Sequence, residues 1–296
     1  MRVAVVGAGA IGLLYAIRTQ EAGHEVTLYV KRGQQMDLIH NKGIQLDDRS
    51  KVYDIHMKNS MDLDDSFDLI IVATKQTHVK EVIEIVKKND ISTPLLFLQN
   101  GMGHIDCLDE MANSTAVGIV EHGARKLSDR TVAHTGVGVT RIAGITMKQE
   151  DLITYKEELD SSHFPYKVEN DWFEVMSDKL IINAVINPLT SVFKVANGEV
   201  VSNPNLYRIA KRLCEEACNV LGKVDVEYHL SRVKKVALQT RENHSSMLED
   251  IKNGRNTEIE GISGYLLKKA SYELPYTTFV YEGVKAMQQM NRRGCE

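Results

Sequence analysis

The sequence has little of what would mark it for a special environment. It has no large excess of charge of either sign, since 36 Lys and Arg against 40 Asp and Glu leave a formal net charge of -4. That balance offers no basic footprint for a nucleic acid, and none is expected as a partner. No unbroken apolar run reaches the ~18 residues that a membrane-crossing helix needs. Only four cysteines are present (Cys107, Cys214, Cys218 and Cys295). They lack the spacing of a disulfide framework, which suits a reducing cytoplasm. Cys214 and Cys218 stand one helical turn apart, half a metal site at most, and no second Cys or His pair completes it, so no metal is expected. Met1-Arg2 runs straight into the strand-like VAVVG, leaving no room for a signal peptide, and a cytoplasmic location is expected. No repeat or low-complexity linker is visible. What is present is an ordinary globular composition, 43% hydrophobic and 26% charged over 296 residues, enough chain for two domains with their own cores.

The first half alternates strand and helix. RVAVVG reads as a buried strand, 10–21 as a helix, HEVTLYV as a second strand, FDLIIVAT as a third and PLLFLQN as a fourth, with polar helical segments such as 80–88 between them. Strands that are apolar throughout and separated by helices indicate a parallel sheet covered on both faces. TAVGIV and two short runs within 131–142 are expected to close this sheet as a meander, followed by a helix from 151 and a short strand at 165–168. Beyond about 169 strand-like runs disappear. Helical patterns occupy 172–187, 205–221, 231–243, 246–252, 258–272 and 276–290, with Gly254 and Pro275 as a stop and a start. The expected fold class is therefore α/β, with a Rossmann-type dinucleotide-binding domain over 1–168 and an all-helical domain over 169–296.

Gly7-Ala8-Gly9-Ala10-Ile11-Gly12 is a GxGxxG sequence placed directly after a strand and opening a helix. The first glycine permits the tight turn, the second admits a pyrophosphate to the backbone, and the third lets helix and strand pack closely. The free N–H groups at the helix start would hold the phosphates. At the end of the second strand an NAD site wants an acidic residue for the ribose 2′-hydroxyl. Lys31-Arg32 stands there instead, a cationic pair that fits a 2′-phosphate and favours NADP(H). Lys75 and Asn100 follow the third and fourth strands, at the ends where open parallel sheets bind ligands. Each is otherwise ordinary loop structure.

In the helical half, the stretch Asp171 to Pro188 is apolar on most faces, yet Lys179, Asn183 and Asn187 fall at i, i+4 and i+8, on one face. Either a snorkelling lysine and two satisfied amides, or a polar seam lining a cleft, accounts for this pattern. Asn197-Gly198 reads as a turn, Ser245 or Ser246 as an N-cap, and Thr257-Glu258-Ile259-Glu260 as a capping box.

GAGAIG, QNGMG, DKLIINAVINPLT, ANGEV, ENHSSMLEDI and RNTEIEGISGYLLKKA together resemble the ketopantoate reductase (2-dehydropantoate 2-reductase) family over essentially the whole chain. The resemblance implies NADPH-dependent reduction of the 2-keto acid 2-dehydropantoate to (R)-pantoate, in pantothenate and coenzyme A synthesis. It also implies a helical domain like that of 6-phosphogluconate dehydrogenase and the possibility of a homodimer through it. Carried over by motif, it makes Lys179 and Glu258 catalytic. Asn100, Asn183, Asn187, Asn197, Asn243 and Ser246 become substrate-binding, and the GAGAIG loop, Lys31, Arg32, Lys75, Asn100, Ala124 and Glu258 cofactor-binding. One departure stands out: Glu121 occupies a position where a small hydroxyl residue is expected, and a carboxylate there would work against an anionic substrate. The alternatives are a D-2-hydroxyacid dehydrogenase acting on another 2-keto acid and, more remotely, a non-catalytic NADP(H)-binding regulator.

Overall fold

The computed structural model describes residues 1–47, 51–108 and 110–293; Cys295 lies outside them. The chain divides into two compact units, one comprising Met1–Gln99 and His104–Val175, the other Asn100–Gly103 and the chain from Met176 on.

The first unit is built on a sheet of eight strands among the described residues. In chain order the elements begin with β1 (Arg2–Val6), α1 (Ala10–Glu21), β2 (Glu25–Val30), α2 (Gly33–Lys42), β3 (Ile44–Leu46), β4 (Val52–Tyr53) and β5 (His56–Asn59). They continue through β6 (Leu69–Val72), α3 (Val79–Lys88), β7 (Leu95–Phe97), β8 (Thr115–Val120), β9 (Gly123–Lys126), β10 (Thr131–Gly136), β11 (Thr140–Gly144), α4 (Gln149–Leu159) and β12 (Tyr166–Val168). The order β12-β11-β8-β7-β6-β1-β2-β5 is parallel except where β11 runs antiparallel to β8. The apolar strands are fully covered, all four residues of β6 and all six of β8 being buried, which is why they carry no polar alternation. Chain order reverses at β1, which has β2 on one side and β6 on the other. Such a switch point opens a crevice at the carboxyl ends of its strands.

The sequence-based meander is only half right. β11 joins the main sheet, but β10 leaves it for a second sheet of order β4-β3-β10-β9. The turn after β9 folds β10 back on it, pairing Val132 with Lys126, and β3 then adds in parallel. This second sheet escaped the sequence reading because β3 and β4 span only three and two residues, too short to show a period, and β5 and α2 were not read either.

The second unit is helical: most of α5 (Trp172–Phe193), then α6 (Glu199–Ser202), α7 (Pro204–Val220), α8 (Val226–Gln239), α9 (Ser246–Lys252), α10 (Ser263–Lys269) and α11 (Pro275–Arg293). Three boundaries differ from expectation. α5 does not end before Pro188 but continues through it. In the following turn hydroxyls bond back to the helix carbonyls, Thr190 Oγ1 donating to Ile186 and Asn187 at 2.8 and 3.1 Å and Ser191 Oγ to Asn187 at 2.8 Å. α8 starts at Val226 because Asp225 caps it, accepting from the Tyr228 N–H at 2.8 Å. The expected helix over 258–272 begins only at Ser263, preceded by a 3₁₀ turn at Ile259–Gly261. None of the described helices is long and apolar enough to cross a membrane.

Candidate active site

In the first unit the glycine loop lies at the switch point. A Cβ on Gly12 would stand 1.7 Å from the Gly7 carbonyl oxygen, so α1 approaches β1 more closely than any side chain permits. Gly9 differs. A Cβ there would meet nothing within 4 Å, and as the N-cap of α1 it brings no side chain to the first-turn N–H groups. No acidic residue sits in that turn either, so the positive end of the helix faces open space. Nearby, Thr74 Oγ1 is buried without a hydrogen-bond partner among the described residues.

A cavity of about 330 Å³ opens from this loop, lined by Gly7–Gly9 from one strand end, Lys31 and Arg32 from the next, and Thr74 and Lys75 from the third. Lys126, which sequence reasoning missed, completes its cationic lining. Its only signal was strand alternation, which puts it on the same face of β9 as Ala124. Ala124 itself packs against the hydrophobic core. The cations come with carboxylates. Lys31 Nζ contacts both oxygens of Glu81 at 2.8 and 2.7 Å. Arg32 and Lys126 converge on Asp129, the latter at 2.8 Å. Hydrogen bonding to Lys31 holds the Glu81 carboxyl below its ordinary range, and bonding to Arg32 and then Lys126 does the same for Asp129. Gln35, 3% exposed, ties the parts together. It donates to the Ala8 carbonyl at 2.9 Å and the Asp129 carbonyl at 2.7 Å, and accepts from Arg32 at 2.8 Å. An open glycine face, an uncapped helix start and four cations (Lys31, Arg32, Lys75 and Lys126) fit the phosphates of a dinucleotide.

Glu121, at the end of β8, does not present a bare carboxylate. It accepts from Arg141 Nε at 3.1 Å, and the same guanidinium bonds Glu169 at 2.6 Å.

In the second unit, α5 carries Lys179 and Asn183 half-buried and Asn187 buried. Neither asparagine uses its side-chain amide in a hydrogen bond among the described residues. Two amides without a protein partner therefore share a face of α5 with Lys179 and are free to bond polar groups that reach them. Thr190 Oγ1, further along the helix, meets Ser245 Oγ at 2.7 Å. Ser245 is the N-cap of α9, accepting from Leu248 N–H at 3.2 Å, so of the two serines it carries the structure and Ser246 stays exposed. The Asn197 N–H donates to the Asn243 carbonyl at 2.9 Å, which brings these two predicted residues together through their backbones. Asn197 Nδ2 is spent on Thr240 Oγ1 at 2.9 Å, while its Oδ1 is buried without a partner among the described residues. The Asn243 side chain is exposed.

Glu258 stands at the start of the 3₁₀ turn, its Oε2 accepting from Asn100 Nδ2 at 3.0 Å. Asn100 therefore clusters with the helical unit, although its strand belongs to the sheet. Its loop is seated on this turn: Met102 N–H donates to the Gly261 carbonyl at 2.9 Å. Gly101 has φ +78°, and a Cβ there would lie 2.1 Å from that same oxygen, so both backbone conformation and space demand glycine.

Comparison with known proteins agrees with this architecture. The family model described as ketopantoate reductase PanE/ApbA matches residues 3–146, and that of its C-terminal part matches 171–288. A curated 2-dehydropantoate 2-reductase of Bacillus subtilis (strain 168) is 36% identical over 294 residues, covering 98% of each chain. A crystal structure of a probable 2-dehydropantoate 2-reductase from Bacillus subtilis superposes with a TM-score of 0.86 at 36% identity, over 97% of this chain and 100% of that one. The fold is also shared, at 22% identity and a TM-score of 0.90 over 99% and 100% of the two chains, by a D-mandelate dehydrogenase solved with NADH and anilino(oxo)acetate. With both halves matched and more than a third of residues identical along nearly the full length, the chain belongs to the ketopantoate reductase family.

Proposed function

We infer that the protein reduces 2-dehydropantoate to (R)-pantoate with a nicotinamide dinucleotide, NADPH in preference to NADH. Residues 1–168 would hold the dinucleotide and 169–296 the keto acid. The observation that carries the reading is the face of α5, where Lys179 is followed by two side-chain amides without partners, in a chain whose relatives carry this activity by name.

The cofactor supplies a hydride to the 2-keto carbon when bound. The remaining work falls to side chains of this chain. As the carbonyl becomes an alcohol, negative charge develops on its oxygen. The Lys179 ammonium stabilises that charge and then donates the proton that completes the hydroxyl. Glu258 keeps Lys179 charged, since a nearby anion favours the protonated amine, and accepts a hydrogen bond from the substrate hydroxyl. Asn100 orients the Glu258 carboxylate through the bond between them. Asn183, Asn187, Asn197, Asn243 and Ser246 grip the substrate carboxylate and hydroxyl with neutral donors and acceptors. On the cofactor side, Gly7 to Gly12 receive the pyrophosphate, Lys75 binds cofactor phosphate or ribose, and Ala124 supplies backbone contact. Lys31, Arg32 and Lys126 face the 2′-phosphate.

NADPH oxidation with ketopantoate against a panel of 2-keto acids including benzoylformate tests this. Ketopantoate should give the highest kcat/KM; preference for benzoylformate with NADH would replace the reading by a D-2-hydroxyacid dehydrogenase. NADPH binding without turnover on any 2-keto acid would leave only a regulator.

A further inference from the structure

Glu258 does not sit on a helix, so its own element does not hold it. The segment from Asn253 to Ile262 consists of a C-cap, an irregular stretch and one 3₁₀ turn. Such a segment has few internal hydrogen bonds, and its geometry depends on what lies against it. What lies against it is the loop of Asn100 to Met102 and one polar stripe of α11.

Tyr281, Lys285 and Gln288 follow one another at i, i+4 and i+7, and Asn291 extends the row by three more residues. Asn291 bonds the last turn of α9, and the other three bond the chain between α9 and α10. Asn291 Nδ2 donates to the Ile251 carbonyl at 2.6 Å, in the last turn of α9. Gln288 Oε1 accepts from the Thr257 N–H at 2.7 Å, one residue before Glu258. Tyr281 Oη donates to both oxygens of Glu260 at 3.0 Å, and Lys285 pairs with the same carboxylate, two residues after Glu258. Thr257 is 4% exposed, and its own Oγ1 accepts from the Ile259 N–H at 3.3 Å, so the Gln288 bond fixes a buried backbone position.

We propose that the Tyr281–Lys285–Gln288 stripe of α11 is a splint that positions the Glu258 carboxylate for the reaction, with Gln288 as its principal contact. The inference rests on the reading of Glu258 as an active-site residue. The stripe touches neither substrate nor cofactor; it acts through the turn. With the bonds at Thr257 and Glu260 in place, the turn is pinned on both sides of Glu258, and the carboxylate has one direction in which to meet Asn100. Without them the turn loses its bracing from α11, and a carboxylate displaced by an ångström no longer aligns the proton donor.

The test is a double-mutant cycle on the full-length protein, reading kcat, KM for ketopantoate and Tm. Q288M removes the acceptor while keeping side-chain length and helix preference; Q288E keeps an oxygen acceptor. Q288M should lower kcat/KM by about 10- to 100-fold, the range expected when a remote change misplaces a catalytic group, and Q288E should restore most of it. On an E258Q background the Q288M loss should vanish, because the group it positions is already disabled. An unchanged Q288M loss in the E258Q background, or a lowered Tm with normal kcat/KM, overturns the proposal. If Q288M does not fold, Y281F, which deletes only the hydroxyl on Glu260, takes its place in the same cycle with the same criteria. Full activity of E258Q alone would overturn the role of Glu258 and the splint together. An impaired E258Q beside a fully active Q288M would overturn the splint alone.

Discussion

The two halves of the proposed site are prepared in opposite ways. In the sheet unit, Lys31 is paired with Glu81 and Arg32 and Lys126 with Asp129. In the helical unit, the Asn183 and Asn187 amides have no partner among the described residues. A phosphate entering the first region has to displace carboxylates, which is feasible because such exposed pairs are worth only about 0–1 kcal/mol. Lys31 is 59% exposed at its side chain, so it belongs in that range. A keto acid bound as proposed would meet the Asn183 and Asn187 amides without displacing a protein partner from them. The first region should therefore respond to charge and salt, the second to geometry.

The sharpest challenge to that contrast lies on α5. Lys179→Ala should lose roughly 10²–10⁴ in kcat, the usual share of general acid catalysis, with the Kd of NADPH unchanged. Near-normal turnover would remove Lys179 from the role. A geometric lesion in the helical unit should rank next. Gly101→Ala forces a Cβ against the Gly261 carbonyl at a position with φ +78°. It should cost on the order of 1–3 kcal/mol of stability, read by urea melts, and disturb the Asn100–Glu258 bond. Smaller still, the double change Lys31→Asp with Arg32→Ser should raise the NADPH KM well above that for NADH; unaltered preference would detach these cations from the 2′-phosphate. Glu81→Gln probes the displaced carboxylate directly. It should tighten NADPH by no more than about 5-fold, the equivalent of one exposed pair, and the gain should shrink in high salt. A weaker NADPH complex would mean that Glu81 holds Lys31 in place instead of competing for it.

The least effect on activity, but a readable one on stability, comes from two buried histidines. Burial disfavours the charged ring and lowers His104 to about 4, and lowers His122 to about 4 with help from His134 and Arg18. The ordinary value is 6.5, so in the unfolded chain these rings take up protons that the folded protein refuses. Stability from them is complete above pH 6.5 and is lost as pH falls toward 4. Thermal melts between those limits should fall less steeply for His104→Gln and His122→Gln than for the parent protein.

How much of this was legible beforehand varies by element. α1 and α9 were bounded to the residue from the sequence, because glycine, serine and apolar periodicity all punctuate them. The helix over 231–243 was placed late because Asp225, its cap, lies outside the apolar pattern. The run through Pro188 was missed because a proline signals a break locally, whereas the buried, apolar surroundings of α5 carry the helix past it. Thr257-Glu258-Ile259-Glu260 has the letters of a capping box, yet its acids turn outward, one to Asn100 and the other to α11.

By itself the sequence determined the class of the fold and the dinucleotide loop. Both rest on local rules, the period of apolar residues and the spacing of glycines, and those act over a few residues. It also carried the family resemblance, since whole motifs such as DKLIINAVINPLT and RNTEIEGISGYLLKKA survive as strings. Only the tertiary structure decided the partners. That Glu81 sits on Lys31, that Lys126 joins the cavity, that Asn100 meets Glu258 across 158 residues and that α11 braces the turn between α9 and α10 are contacts between distant parts of the chain. A hydrogen bond depends on distances of a few ångströms, and sequence separation says nothing about those until the chain has folded.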